Sequence, residues 1–468
     1  MKRIQRLLFS FSILICFEAH AKVKLPPLIA EHMVLQRETK VALWGWAPKS
    51  SNISITTSWN NKQYKVKSDV AGAWRVMVET PHAGGPYSIT FNDGTPLVVK
   101  DVLIGEVWIC SGQSNMEMPV KGFKNQPVLH SSDLLMEANN PSIRLIRFER
   151  AASMQPQDSA VNSGWQPDEP SSVKEFSAVG YQFAKILQQQ LHVPVGIIGT
   201  YWGGTMVEAW MSDQSLKAFP EINVPRDSVG KGKNTPTVLF NAMLHPLIGY
   251  GIKGVIWYQG EQNRGNAAIY DRLLAGMVKD WRQQWQCGEW PFYYVQIAPY
   301  KYNDKIGPSA PLREAQQRAL QLIPNSGMVV SMDAGQDNSI HPPDKTTISK
   351  RLACWALAKT YNRQDLPYQS PYYSTMKVNG SAVVLHFDNA TNGLTTFGKP
   401  LANFEVAGED QVFYPAEARI TGDGIRVVCD KVKEPVAVRY GYKDWTDGEV
   451  YNTEGFPLAP FRTDDWNQ

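Results

Sequence analysis

The sequence predicts an α/β protein, a parallel β-sheet with helices on both faces, flanked by an N-terminal β-sandwich and C-terminal β-strands. Three observations predict it. Between residues 101 and 363, compact apolar runs alternate with stretches of helical period, the pattern of a parallel sheet with crossover helices. Residues 22–100 hold short β-rich runs parted by Gly and Asn, as in a small sandwich. Residues 364–468 return to that strand-and-turn pattern.

The elements follow in order. Lys2, Arg3 and Arg6 precede an apolar run over 7–17 and the A-x-A tripeptide of residues 19–21, so 1–21 reads as a signal peptide cut after Ala21. The run is too short to span a bilayer, which predicts a secreted or periplasmic chain with no membrane insertion after cleavage. Residues 41–46, 53–57, 74–78 and 87–91 are the N-terminal strands. In the middle segment 102–110, 193–200, 254–258, 292–298 and 328–332 read as strands, and 180–191, 269–285, 312–323 and 346–361 as helices. The last segment offers strands at 383–387, 418–420, 424–429 and 436–440.

Composition narrows the function. A net charge of +3 over 468 residues gives no case for nucleic acid or an anionic membrane surface. Cys110, Cys287, Cys354 and Cys429 are far apart and form no C-x-x-C; a domain of this size needs no disulfide, and Cys354 reads as a buried thiol. No metal motif, phosphate loop or dinucleotide fingerprint is present, so no cofactor is expected.

Ligands of open parallel sheets bind beyond the carboxyl ends of the strands. Four of the strand ends carry Ser111-Gly-Gln-Ser114-Asn115, Trp202-Gly203-Gly204-Thr205, Gln259-Gly-Glu261-Gln-Asn263, and Asp333 through Asp337 and Asn338 to His341. Serine, backbone amides, side-chain amide, acid and histidine are the parts of a hydrolase. A serine hydroxyl needs a base beside it, and histidine is the usual one. Of the eight histidines, His20 belongs to the leader, His32, His82 and His386 to the flanking β segments, His192 to a helix end and His130 to a loop. His245 precedes a strand and so lies at the opposite edge, which leaves His341. The G-x-S-x-G elbow is absent because Met116 takes its last position.

Gly112-Gln-Ser114-Asn, Trp202-Gly-Gly-Thr205, Trp257-Tyr-Gln-Gly-Glu261 and Ile340-His-Pro342 resemble the successive blocks of SGNH-type carbohydrate esterases, most closely the sialate O-acetylesterase family. Met33-Val-Leu-Gln-Arg37, Gly84-Gly-Pro-Tyr87 and the tail from Gly455 to Trp466 are similar to that family as well, so the resemblance covers nearly the whole mature chain. It implies an SGNH-like catalytic domain over 101–363. It also implies Ser114 as acylated nucleophile, His341 as base and acid, and an oxyanion hole of the Ser114 amide, the Gly203 or Gly204 amide and the Gln259 side chain. The family's acid stands two or three residues before the histidine, where this chain has Ser339 and Asn338. Asp337, one further back, is preferred over Glu261 as third triad member. Asn115, Trp202, Tyr258 and Asn263 are candidate substrate contacts, with Trp210 a further candidate for a sugar wall. Core packing competes for at least one of these aromatics.

The expected partner is an acetylated sugar or glycan: a sialate, or alternatively acetylated xylan or another plant glycan. A glycosidase with paired carboxylates leaves the Ser/Gly/Gln/His set without a use. A non-catalytic carbohydrate-binding protein is the third alternative, raised by the missing acid.

Overall fold

The computed structural model describes residues 23–225 and 232–466. The expected leader and its cleavage point lie outside them. No helix among the described residues is long and apolar enough to cross a membrane.

The architecture is mixed α/β, with one large mixed sheet and smaller β-sheets beside it. Its spine is the strand Pro96–Gly112. The first half is mostly exposed and pairs antiparallel with Gly84–Asn92. The second half, VLIGEVWICSG, is buried throughout and lies between Gly254–Tyr258 and Val195–Tyr201, parallel to both. Phe292–Val295 and Ser326–Val329 extend the sheet on one side and Ile143–Arg147 on the other, all parallel.

Continuous burial of these strands follows from helices on both faces. Ala178–Leu191 and Lys345–Trp355 pack together on the face of Ile256 and Tyr258. Ala267–Trp285 and Ala310–Leu322 cover the face of Val255 and Trp257. The chain leaves the central strand for one edge, returns, and then builds the other side, so the strand order reverses at Pro96–Gly112. Binding crevices of open sheets form at such a reversal.

The described cysteines are all free thiols, with Cys110 buried and Cys354 only partly so. The N-terminal strands do not close a core of their own. Leu43 and Trp74 share one apolar cluster with Tyr250 and Trp285 of the α/β layer, and the spine strand runs unbroken through residues 100 and 101. The C-terminal strands do have their own core, around Val383, Phe404, Ile425 and Tyr440. They dock through Tyr442 and Arg462 on Glu314 and through Asp444 on Ser309.

Ile143–Arg147 and Tyr372–Asn379 are strands that apolar patterning passed over. In IRLIR the interruption is Arg144, buried with its guanidinium on Asp101 at 3.1 Å.

Candidate active site

The serine loop is built by a glycine. Gly112 ends the spine strand at φ 135°, and a Cβ there would stand 2.2 Å from the Tyr258 carbonyl oxygen, so only glycine fits between these strands. The next residues turn at once into the short helix Ser114–Glu117. Ser114 is its first residue and half-buried, with no hydrogen bond tying its hydroxyl to another described residue. Its own N–H is a first-turn amide, free of any helical partner.

Behind the serine lies a buried polar relay. The Asn115 side-chain nitrogen donates to Glu261 Oε1 at 2.7 Å and to the Ile340 carbonyl at 3.0 Å. Its oxygen accepts from Lys345 Nζ at 2.6 Å. All three side chains are more than nine-tenths buried, and the second Glu261 oxygen has no hydrogen-bond partner among the described residues. Burial raises the Glu261 carboxyl above its usual range, opposed by Asn115, Lys345 and Arg264. Burial likewise brings the Lys345 ammonium down to about 7, opposed by Glu261 and Asp344. A carboxylate and an ammonium are thus held through one neutral amide, and that amide fastens the serine loop to the histidine loop.

His341 follows Ile340 and is partly buried, its ring edge-on to Phe123 at 5.3 Å between centroids. Its Nδ1 stands 2.6 Å from Gln126 Oε1. An amide oxygen accepts only, so Nδ1 carries the proton and Nε2 keeps its lone pair. Burial, and secondarily the Lys345 charge, bring the imidazole down to about 4. Gln126 is held by paired backbone hydrogen bonds with Phe123, each 3.0 Å.

Asp337, expected behind His341, is not there. It sits at the tip of the turn joining Gln336 and Ser339, and its carboxylate pairs with Lys301 at 3.1 Å. Glu261 is close to the serine loop but reaches the histidine only by way of Asn115 and Ile340.

Gly203 packs on the serine: a Cβ there would lie 3.0 Å from Ser114 Cβ. Its N–H already donates to Glu117 Oε2 at 2.8 Å, and Glu117 is in turn gripped by Arg150 at 2.6 Å. Gly204, at φ 68°, has an N–H with no partner among the described residues. The Gln259 amide differs from expectation: it donates to the Thr205 carbonyl at 2.8 Å and to Asn263 Oδ1 at 2.7 Å, fully buried. Asn263 is equally buried, holding Val207 N–H and Glu208, so it offers nothing to a substrate. Tyr258 and Trp210 are core residues, Tyr258 under the Lys345 ammonium and Trp210 edge-on to Trp257. Only Trp202 of the expected wall stays partly exposed, with Lys233 Nζ 6.0 Å from its ring centre. That ammonium also donates to the Gly203 carbonyl.

Reasoning along the strand ends missed Gln126, Lys345 and Lys233. Gln126 lies in a loop and Lys345 opens a helix, so neither follows a strand. Lys233 stands in the polar stretch 225–236, PRDSVGKGKNTP, which follows none of the expected strands.

Comparisons with known proteins identify the family of the chain. Residues 104–361 match the family model described as carbohydrate esterase, sialic acid-specific acetylesterase. The chain is 32% identical over 381 residues to the sialate O-acetylesterase of Homo sapiens, covering 73% of this chain and 72% of that protein. It is 33% identical over 381 residues to the sialate O-acetylesterase of Pongo abelii, with the same coverage of each chain. A carbohydrate acetylesterase from Xanthomonas citri superposes with a TM-score of 0.86 at 36% identity, covering 95% of this chain and 100% of that one. The chain belongs to the sialic acid-specific acetylesterase family and is a carbohydrate esterase, a carboxylic ester hydrolase acting on acetylated sugars.

Proposed function

We propose that this chain is an exported serine esterase that removes O-acetyl groups from sugar hydroxyls through an acetyl-Ser114 intermediate. The observation that carries it is the Ser114 hydroxyl, without a partner among the described residues, at the end of the central strand, with the His341 loop bound to the same turn through Asn115. His341 Nε2 takes the proton as Ser114 Oγ adds to the acetyl carbonyl. The N–H groups of Ser114 and Gly204 receive the oxyanion, each worth about 3 kcal/mol in such sites. The carbon–oxygen bond to the sugar then breaks, and the proton passes from His341 to the departing hydroxyl. Water adds to the acetyl-enzyme by the same route in reverse and releases acetate.

In this reading Gln126 holds the tautomer of His341, while Glu261 acts through Asn115 as a positioning group. Gln259 and Asn263 brace the strand end. Asp337 takes no part.

Sialate is the preferred sugar. Two relatives are named for it, and Lys233 puts a cation beside Trp202 and Gly203, the glycine that packs on the serine, where a sugar carboxylate needs one. Acetylated neutral plant glycan is the alternative, favoured by the Xanthomonas citri neighbour, which is named only for carbohydrate. The test is twofold. Ser114→Ala should abolish 4-nitrophenyl acetate hydrolysis and incorporation of radiolabelled acetyl on acid quench; an active variant removes the serine. Rates on O-acetylated sialic acid against acetylated xylo-oligosaccharides then choose the substrate.

A further inference from the structure

A second cleft lies at the other edge of the sheet. Its volume is about 410 Å³, and it opens between the strand Lys40–Trp46 and the turn at residues 245–248 that leads into Gly254–Tyr258. Trp44 and Trp46 are two residues apart on that strand and so share one side of it. Trp44 packs edge-on against Tyr250 and belongs partly to the core. Trp46 is half-buried, makes no ring contact with another aromatic, and has an indole N–H without a partner among the described residues. The residue opposite it across the strand pair is Ala73, too small to cover an indole, while Lys24 pairs with the Trp46 backbone on its other side.

The polar groups around these rings match a sugar's hydroxyls. Arg75, opposite Trp44, stacks on that ring at 5.8 Å and has no hydrogen bond or ion pair among the described residues. Asp69 uses one oxygen on the Ala71 and Ala73 amides, at 2.8 and 2.9 Å, and leaves the other open. Asp158 is exposed and forms no ion pair among the described residues. His245 Nδ1 faces the Gln157 carbonyl at 2.9 Å, so Nδ1 carries its proton and Nε2 is an acceptor. The cleft therefore offers donors from Arg75 and Trp46, acceptors from Asp69, Asp158 and His245, and an aromatic face for C–H groups. Two carboxylates against one guanidinium disfavour an anionic ligand.

We propose that this cleft is a second glycan-binding site, taking a neutral pyranose unit of the chain whose acetyl groups are removed elsewhere on the molecule. One loop joins the two places: Arg150 at its start grips Glu117 beside Gly203, and Asp158 further along lines the cleft.

The test is titration of the full-length protein, in its Ser114→Ala form, with neutral xylo- and gluco-hexasaccharides and with a sialylated trisaccharide, read by tryptophan fluorescence and calorimetry. The expected result is binding of a neutral hexasaccharide, weakened about ten-fold or more by Trp46→Ala and several-fold by Asp158→Ala. On the active enzyme both substitutions should leave aryl-acetate kcat/KM unchanged. Asp158 is exposed and has no ion pair among the described residues, so its variant decides the matter should Trp46→Ala unfold. No binding of any neutral hexasaccharide, equal affinity in both variants, or Trp46-dependent binding of the sialylated sugar alone would overturn the proposal. Retained aryl-acetate activity in Ser114→Ala would remove the serine mechanism and leave this site untouched.

Discussion

The Lys345 ammonium and the Asn115 side-chain oxygen stand 2.6 Å apart, both more than nine-tenths buried, directly behind the candidate nucleophile. Asn115 is the only group that joins Lys345 to Glu261 by hydrogen bonds among the described residues. Asn115→Leu leaves a buried ammonium and a buried carboxylate without that bridge. The expected loss is about 3–5 kcal/mol in denaturant unfolding, with a fall in kcat larger than any change in KM. A stability change under about 1 kcal/mol would mean the relay is not a closed structural unit.

The pH profile follows from the histidine. In the fold His341 loses its proton at about 4, against 6.5 for free imidazole. The base is therefore available throughout, and kcat/KM should stay level from pH 7 down to about 5, without an acid limb near 6.5. Stability behaves oppositely. The unfolded chain takes up a proton between 6.5 and 4 that the fold refuses, so stability falls as pH drops through that window, by at most about 3 kcal/mol. Lys345→Met removes the nearby cation and should move the acid limb upward, though short of 6.5, because burial is the larger cause.

Lys345 gives a second window. Its proton leaves at about 7 in the fold, against 10.5 for a free lysine side chain. Between these values the unfolded chain binds more protons, so stability rises with pH from about 7 to 10. Unfolding midpoints of the wild type against Lys345→Met, measured at pH 7 and 9, should show this rise only in the wild type.

Asp337 and Gln126 are separable by substitution. Asp337→Asn should keep most of the aryl-acetate activity, since its carboxylate meets Lys301 and not the imidazole. Gln126→Ala should lower kcat about 10- to 100-fold by freeing the tautomer. The reverse pattern would restore Asp337 as the triad acid.

Lys233→Met tests the sugar. It should raise KM for O-acetylated sialic acid about ten-fold and leave a neutral acetylated sugar unaffected. Equal effects on both would assign Lys233 to holding the Gly203 carbonyl instead.

The strand ends were legible because their chemistry is local: Gly112 and Ser114 announce a sharp turn that presents a hydroxyl, and Ile340-His341 lands on the same side of the sheet. Which groups face those residues was not legible. Gln259 and Asn263 look like donors in sequence, yet packing turns them toward Thr205, Val207 and Glu208. Gln126 reaches His341 across more than two hundred residues, and no local pattern marks such a pair. Ile143–Arg147 escaped because a buried arginine breaks its apolar run while satisfying its charge on Asp101.

The strand Pro96–Gly112 belongs to two layers at once: half of it is laced to the N-terminal strands, and the other half ends two residues before Ser114. No seam therefore separates the N-terminal segment from the nucleophile. Excising residues 22–100 would expose the lower half of the rod that carries the serine, so the segment is heritable and deletable only together with the active site, and a recombinant exchange between relatives would have to cross over after the serine turn or ahead of the first N-terminal strand.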